Sequence, residues 1–517
     1  MSTLNLSNLK APLDKRLIVV VALVGLAMRL WIAWQPTDEL SWRANADDAY
    51  YYFKLAQHLA SGAGATFDGV NPTSGFHPLY ALLLVPIFQY AGSDIDLGVH
   101  LALTLVALVS SVTAWPIYLV GKYVHSPLAG TIGAVAHLLN PWVVILTMTG
   151  VESAVYVCCF AWTVMVYARW RLHDQSLRGI VLIGLLAGLT IMARSEGVFL
   201  LAGIILDRLA VDWRVPRQAV TFAALCGLFA TVVCLPWVLW SVSQFGSPLQ
   251  ISASAIMLHN YAAMPADAIA AFEWYVGRVF WFLPRYAYKI LLFNLPIVLL
   301  FGFVIGRSWV SRQRSLKIAW SSVSQYLFLI LPFMGITAYY NLILLHQQHW
   351  YFNALVLIFT LIGASMSAEE IIRSENVYLQ QKYQRVATSI ICALFVIVIT
   401  LMWQRGLYPN QKDWSILGRQ IASTDLRYER LGATDNGIVG FFCRCTMVNL
   451  DGVMNNAAVA YYRVHGYEEE TILQFAREQH VAYVWDVGSW NFTSLDPDKV
   501  QIVRRIQFAA GMLYQIR

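Results

Sequence analysis

Long apolar runs, separated by short polar segments, fill the chain up to about residue 404. A helix needs about 20 apolar residues to cross the hydrocarbon core of a bilayer. Runs of about this length, some of them shorter, are found at 17–35, 98–121, 128–148, 153–168, 179–193, 197–207, 218–240, 289–306, 319–342, 350–367 and 387–403. The pattern predicts an α-helical polytopic membrane protein with about eleven transmembrane helices.

The basic residues between these runs orient the predicted spans. Cytoplasmic loops of membrane proteins are enriched in Lys and Arg. Short basic loops lie near 169–178, 208–217, 307–317 and 373–385, so these loops and the N-terminus are expected to be cytoplasmic. The apolar stretch 77–91 is too short to span and is interpreted as an interfacial helix. This topology gives a first outer loop at 36–97, another outer loop at 241–288, and an extracytoplasmic C-terminus.

The composition changes after residue 404, where charged residues, Asn and Gly become frequent. Short apolar stretches at Gly440–Cys443 and Val481–Trp485 predict strands, and Glu468–Glu478 predicts a helix. The sequence therefore divides into a transmembrane domain at 1–404 and a small α/β domain at 405–517. In the latter, Cys443 and Cys445 are two residues apart, which in a strand is too far for a disulfide.

Composition supports the membrane assignment and excludes several alternatives. The chain of 517 residues is 58% hydrophobic and only 13% charged, whereas soluble proteins have about 25% charged residues. A soluble enzyme, a disordered chain and a coiled coil are therefore excluded. The net charge of +6 is small for this length and is explained by the cytoplasmic loops, so no nucleic-acid partner is inferred. The expected location is the plasma (inner) membrane.

The first outer loop contains two adjacent carboxylates, Asp47 and Asp48, at the start of an amphipathic helix. Acidic residues at a helix N-terminus are stabilised by the helix dipole, which is a purely structural explanation. The functional alternative is a general base at the membrane surface, with the second carboxylate raising its pKa or binding a cation. The pair alone does not decide between them.

Longer motifs continue the same loop, and shorter ones follow along most of the chain. They are Asp47-Asp48-Ala49-Tyr50-Tyr51, Thr66-Phe67-Asp68-Gly69, Pro72-Thr73-Ser74-Gly75-Phe76-His77-Pro78-Leu79-Tyr80, Thr149-Gly150-Val151-Glu152-Ser153-Ala154, Ala193-Arg194-Ser195-Glu196-Gly197, His349-Trp350-Tyr351-Phe352, Gly437-Ile438-Val439-Gly440-Phe441 and Asn449-Leu450-Asp451-Gly452-Val453-Met454-Asn455. The motifs of the loop resemble the first outer loop of GT-C-fold glycosyltransferases, in particular bacterial relatives of the arabinofuranosyl- and mannosyltransferases, and the shorter ones match in the same order.

The resemblance implies an inverting transfer of a sugar from a polyprenyl-phosphate donor to a hydroxyl of a glycan, lipid or protein. It implies that Asp47 is the catalytic base with Asp48 beside it, and that the outer loop 241–288 is a mobile lid. Residues expected to bind the donor, with Arg194 as a clamp on the lipid phosphate, are Glu152, Arg194, Glu196, His77, Tyr50, His349 and Tyr351.

Two features of the resemblance leave alternatives open. Family members often have Arg before the Tyr-Phe pair, where this chain has His349-Trp350, so a phosphate-binding Arg is missing at that site. A divalent cation, Mg²⁺ or Mn²⁺, has Asp48 and Glu152 as candidate ligands, and a metal-free site is the alternative. The rival function is a secondary transporter or lipid-sugar flippase, for which inverted repeats are expected.

Overall fold

A computed structural model describes residues 15–300, 302, 325–373, 392–486, 502–508 and 511–516. The predicted basic loops at 307–317 and 374–385 lie outside the described residues. The helices up to residue 293 are α1 (Lys15–Ala33), α2 (Thr37–Arg43), α3 (Asp47–Ala60), α4 (Pro78–Ala91), α5 (Ile95–Val112), α6 (Ala114–Val124), α7 (Pro127–Leu139), α8 (Pro141–Thr147), α9 (Ser153–Leu172), α10 (Leu177–Ala193), α11 (Gly197–Val211), α12 (Pro216–Phe245), α13 (Ile251–Tyr261) and α14 (Ala268–Phe293).

Later helices span Leu327–Ala338, Asn353–Arg373 and Cys392–Arg405. Among the described residues, three helical segments are long and apolar enough to cross a membrane alone, namely Ile95–Val124, Pro216–Phe245 and His349–Glu369, and bent pairs raise the number to six. Several other helices are apolar but shorter than 18 residues. The predicted number of about eleven spans therefore stays a prediction.

The helix α4 has only 14 residues, in agreement with a segment too short to span.

The transmembrane part also contains a buried charge that is satisfied by hydrogen bonds. In α1, Arg29 is completely buried, and its guanidinium donates to the Ser110 hydroxyl and to the carbonyls of Gly25 and Leu138 at 2.9–3.1 Å. Such bonds are how a charged side chain is accommodated inside a membrane protein.

The C-terminal part contains a five-stranded mixed sheet of order β2-β1-β3-β5-β4. The strands are β1 (Arg430–Ala433), β2 (Thr446–Asn449), β3 (Tyr483–Asp486), β4 (Ile502–Phe508) and β5 (Gly511–Ile516), and the helices are Trp414–Ala422, Gly437–Phe442, Asn456–His465 and Glu469–Glu478. The predicted helix at 468–478 and the strand near 481–485 are confirmed. The strand predicted at Gly440–Cys443 is wrong, because these residues end the short helix Gly437–Phe442.

The interpretation of the cysteine pair is also corrected. Cys443 and Cys445 form a disulfide, with their Cα atoms 5.1 Å apart. Arg444, between them, has φ of +52°, so the backbone turns back on itself instead of extending as a strand. This turn brings the two sulfurs within bonding distance, whereas an extended strand would keep them apart. The other five cysteines are free.

The C-terminal part packs directly on the first outer loop. The Asn456 side chain bonds the backbone and hydroxyl of Ser74, and a Cβ on Gly75 would lie 2.0 Å from the Val453 carbonyl oxygen. Arg419 donates to Asp96 at 2.6 Å and to Asp38 at 3.2 Å. Because these contacts leave no gap, the two surfaces position each other.

Candidate active site

The start of α3 is fixed against the turn that precedes α9. The Ala46 amide donates to the Thr149 carbonyl at 3.0 Å. Gly150 has φ of +81°, and a Cβ there would lie only 2.9 Å from that of Ala49. A positive φ favours Gly, and the close approach excludes larger side chains. The fold therefore brings together the two motifs that carry Asp47 and Glu152, about 100 residues apart in sequence.

Asp47 is buried and holds the C-terminal part in place. Its two carboxylate oxygens accept the backbone amides of Gly437 at 2.9 Å and Ile438 at 2.7 Å. These amides are in the first turn of a helix, where they have no acceptor within the helix. Burial is the main cause that raises the pKa of Asp47 to about 7, and the charge of Asp435 adds to it. The hydrogen bonds from the Ile438 and Gly437 amides lower the pKa and offset part of this rise.

Asp48 has a different environment from its neighbour. Its side chain is partly exposed, and it makes no hydrogen bond or ion pair with any described residue. Burial, followed by the charges of Asp47, Asp435 and Glu152, raises the pKa of Asp48 to about 8. Asp435 is exposed, yet its own pKa is also raised by desolvation. A carboxyl that is at least partly exposed and yet has a pKa raised by desolvation is expected to line a narrow recess that water can enter. Asp48 and Asp435 define this recess.

A buried ionic network lies beside Asp48. Arg194 pairs with Glu152 from one side and with Glu196 at 2.7 Å from the other, and its third guanidinium nitrogen donates to the Tyr340 hydroxyl at 3.0 Å. Tyr340 in turn donates to Glu196. His77 approaches Glu152 at 3.8 Å. The network joins residues from four segments that are distant in the chain.

All three nitrogens of the Arg194 guanidinium are used in these contacts. The side chain is 5% exposed, and its guanidinium carbon lies 4.9 Å from the centre of the Tyr351 ring. The charges of Glu196, Tyr340 and Glu152 outweigh burial and raise the pKa of Arg194 further above its ordinary value. These contacts engage every nitrogen of the guanidinium, while each terminal nitrogen keeps a second N–H, so the role of Arg194 as a phosphate clamp stays a prediction.

The predicted site residues thus divide into three groups. Asp47, Asp48, Glu152, Arg194 and neighbouring residues are brought together, as described. Tyr50 lies instead in an aromatic cluster, fully buried, with its ring 5.3–5.5 Å from those of Phe53, Phe441 and Phe442. His349 is outside the ionic network, with its ring 6.3 Å from that of Tyr408.

The same contacts bear on the proposed metal ligands. Asp48 and Glu152 were the candidate ligands, but Glu152 is paired with Arg194 and both oxygens of Asp47 accept amides. Among the described residues, no group of three His, Cys, Asp or Glu side chains is arranged to hold a metal ion. A divalent cation needs several oxygen ligands, so a metal site at Asp48 and Glu152 stays a prediction.

Several residues of the recess were not found from the sequence. Asp435 comes two residues before the Gly437 motif, and Tyr340 lies at the end of an apolar run where a tyrosine is unremarkable. Tyr408 is buried and interacts electrostatically with Asp48. Asp451 forms a turn, in which its carboxylate accepts the Val453 amide at 2.8 Å. Only long-range packing identifies this group.

No protein-family model and no curated protein sequence matches the chain. Solved structures of two membrane proteins are similar to it. ArnT from Cupriavidus metallidurans, bound to undecaprenyl phosphate, is 12% identical with a TM-score of 0.60, and the match covers 98% of each chain. Archaeal oligosaccharyltransferase AglB from Archaeoglobus fulgidus, in complex with an inhibitory peptide and a dolichol-phosphate, is 14% identical with a TM-score of 0.54, covering 91% of this chain and 69% of that chain.

A further structure of the Archaeoglobus fulgidus oligosaccharyltransferase, in complex with Zn and sulfate, matches with a TM-score of 0.52 and 17% identity, covering 91% of this chain and 67% of that chain. At such identities the similarity shows the fold. It confirms the predicted class, a helical polytopic membrane protein of GT-C type. The predicted closeness to arabinofuranosyl- and mannosyltransferases stays a prediction.

Proposed function

We propose that this chain is an inverting membrane glycosyltransferase that moves a sugar from a polyprenyl-phosphate donor to an acceptor hydroxyl. The fold it shares with ArnT and AglB, whose structures hold undecaprenyl phosphate and dolichol-phosphate, supports the type of donor. The observation that carries the proposal is Asp48, a partly exposed carboxylate without a bonding partner among the described residues, in a site where its neighbours are paired.

Within this proposal, Asp48 is the catalytic base and Asp47 is a positioning residue. A base needs a free oxygen to accept a proton, and the oxygens of Asp47 already accept two amides. A pKa of about 8 makes Asp48 a stronger base than an ordinary carboxylate, but most of it is then protonated at pH 7, and the ionised fraction rises towards alkaline pH. The sequence-based choice of Asp47 and the present choice of Asp48 are distinguished by the variants described below.

The proposed reaction is a single displacement. The acceptor O–H bond breaks and its proton passes to Asp48. The acceptor oxygen bonds to the anomeric carbon from the face opposite the phosphate, which inverts that centre. The bond between the anomeric carbon and the phosphate oxygen breaks, and its electron pair leaves with the phosphate. Because phosphate is a good leaving group, one base is sufficient for this chemistry.

The site is proposed to face the outer side of the membrane. In α9, Glu152 precedes the first residue while Arg169 and Arg171 are in the last turn, and 20 helical residues span about 30 Å, the thickness of the hydrocarbon core. Arg-rich ends are typical of the cytoplasmic side. The Cys443–Cys445 disulfide also fits an oxidising, extracytoplasmic location for the C-terminal part.

The experiment uses purified protein reconstituted in vesicles with undecaprenyl-phosphate sugars labelled in the sugar. Transfer predicts that the label leaves the lipid-phosphate fraction, enters an acceptor fraction and releases undecaprenyl phosphate. Asp48→Asn should abolish the release. Movement of the intact labelled lipid across the bilayer without cleavage would favour the flippase and contradict the proposal.

A further inference from the structure

A group of three basic side chains lies outside the ionic network of Arg194. Lys289, near the end of α14, is half-buried, and its ammonium lies 5.5 Å from the centre of the Phe352 ring. It interacts electrostatically with both His346 and His349. No carboxylate of the described residues pairs with it, in contrast to Arg194. Lys289, His346 and His349 are called the basic group below.

The basic group is held together by packing between α14 and the loop before the helix Asn353–Arg373. Gln347 donates to the Phe282 carbonyl at 3.0 Å, which fixes the loop to α14. The Phe293 ring lies 6.4 Å from that of His349 and 5.3 Å from that of Phe352. These contacts hold the segments that carry the three basic side chains against each other.

Two unsatisfied polar atoms mark the space beside the basic group. His349 Nδ1 and the Tyr408 hydroxyl are buried and have no hydrogen-bond partner in the described part of the chain. A buried polar atom without a partner costs about 1–3 kcal/mol, so such atoms usually have a partner that the protein alone does not supply. The two rings are nearly perpendicular, with their centres 6.3 Å apart.

Two tyrosines connect the basic group with Asp48. Tyr408 lies beside His349 and interacts electrostatically with Asp48. Tyr351 is 5.9 Å from His346, ring to ring, and also interacts with Asp48. The basic group and the carboxylate therefore both interact with the same pair of tyrosines. A displacement needs a leaving-group site and a base near each other, because the two act on opposite faces of one anomeric carbon.

We propose that Lys289, together with His346 and His349, binds the phosphate of the lipid-linked donor, and that Arg194 instead holds the acidic residues of the site. This inference rests on the proposed function and names the residues that bind the leaving group. An ammonium with free donors suits a phosphate. The proposal also accounts for the His349-Trp350 sequence, since Lys289 supplies the cation that the family's Arg would provide.

Neutral histidines support this role. Burial, with the charges of His259 and Lys289 adding to it, lowers the pKa of His346 to about 4, so its ring is uncharged at neutral pH and does not repel Lys289. A neutral imidazole still donates one hydrogen bond. An arriving phosphate can therefore accept hydrogen bonds from the histidines and neutralise the charge of Lys289.

The test measures binding of undecaprenyl phosphate, with undecaprenol as the uncharged reference, to purified protein in nanodiscs. Lys289→Met should weaken undecaprenyl phosphate binding about tenfold or more and leave undecaprenol binding unchanged, as expected for a lost charge-assisted hydrogen bond. Lys289→Arg should restore most of the affinity, which a purely structural defect would not allow. Arg285→Met is the matched control, since Arg285 is one turn earlier, exposed and stacked on Trp281.

Unchanged phosphate binding by Lys289→Met would overturn this inference while leaving the proposed function to the activity assay. Equal weakening by Arg285→Met would overturn it as well, because the effect would then be one of general surface charge. If the wild-type protein bound undecaprenyl phosphate no better than undecaprenol, both this inference and the proposed function would fail.

Discussion

The carboxylate of Asp47 accepts the backbone amide of Gly437 at 2.9 Å, although the two residues are 390 positions apart. There is no room to vary this contact, since a Cβ on Gly437 would lie 2.2 Å from the Asp47 carbonyl oxygen. The membrane-embedded half and the C-terminal part are therefore joined at the residue that begins the candidate site. Docking of the C-terminal part and assembly of the site are a single structural event.

The first prediction separates the roles of the two adjacent aspartates. Asp48→Asn should reduce kcat by at least about 100-fold, the usual contribution of a general base, without loss of folding. Asp47→Asn should lower the thermal stability of the protein, because an amide offers one acceptor oxygen where two amide donors must be satisfied. The measurements are sugar release and thermal unfolding of both variants. Near-normal turnover of Asp48→Asn would exclude it as the base.

The second prediction concerns how stability depends on pH. The pKa of Asp48 is raised from 3.8 to about 8 in the folded protein, so between these values the folded state keeps a proton that the unfolded chain releases. Protonated Asp48 therefore contributes to the free energy of unfolding at low pH, and this contribution is lost as the pH rises through this window. Asn does not titrate, so the Tm of Asp48→Asn should exceed that of the wild type by an amount that grows from pH 4 to 8. A Tm difference independent of pH would contradict the raised pKa.

The third prediction tests Arg194 as the centre of a buried ionic network. Arg194→Met leaves Glu152 and Glu196 buried without their partner, and removing one side of a buried pair costs about 3–5 kcal/mol. The double variant Glu152→Gln with Arg194→Met should recover part of this loss. Lys122→Met, which removes an exposed cation, is the control and should change stability little. Thermal or denaturant unfolding in detergent provides the measurement.

The fourth prediction concerns the oxidation state of the cysteines. The chain has seven cysteines, of which Cys443 and Cys445 are bonded and five are free. Protein denatured without reductant should therefore react with maleimide at five thiols, and at seven after reduction. Mass spectrometry of the labelled protein identifies the sites. Labelling of all seven before reduction would show that the disulfide is absent, and Cys392→Ser should lower both counts by one.

The pattern of apolar runs alone predicted the helical membrane fold, because hydrophobic length is a local property that reports the thickness of the bilayer. The motif resemblance, and not the apolar pattern, pointed to Asp47, Asp48 and Glu152 as site residues. It could not divide the roles of the first two. Which aspartate has free oxygens depends on Gly437 and Ile438, and no local pattern contains that information.

The errors have the same origin. A strand was predicted at Gly440–Cys443 because this stretch is short and apolar. Instead, Asp47 caps a helix that begins at Gly437 and includes most of these residues. The disulfide was missed because spacing was converted to distance with strand geometry, while Arg444 adopts a positive φ. Likewise, no local pattern around Lys289 indicates that it interacts with His346 and His349. Sequence determined the hydrophobic architecture, whereas partners brought together over long separations determined which charges are free to act.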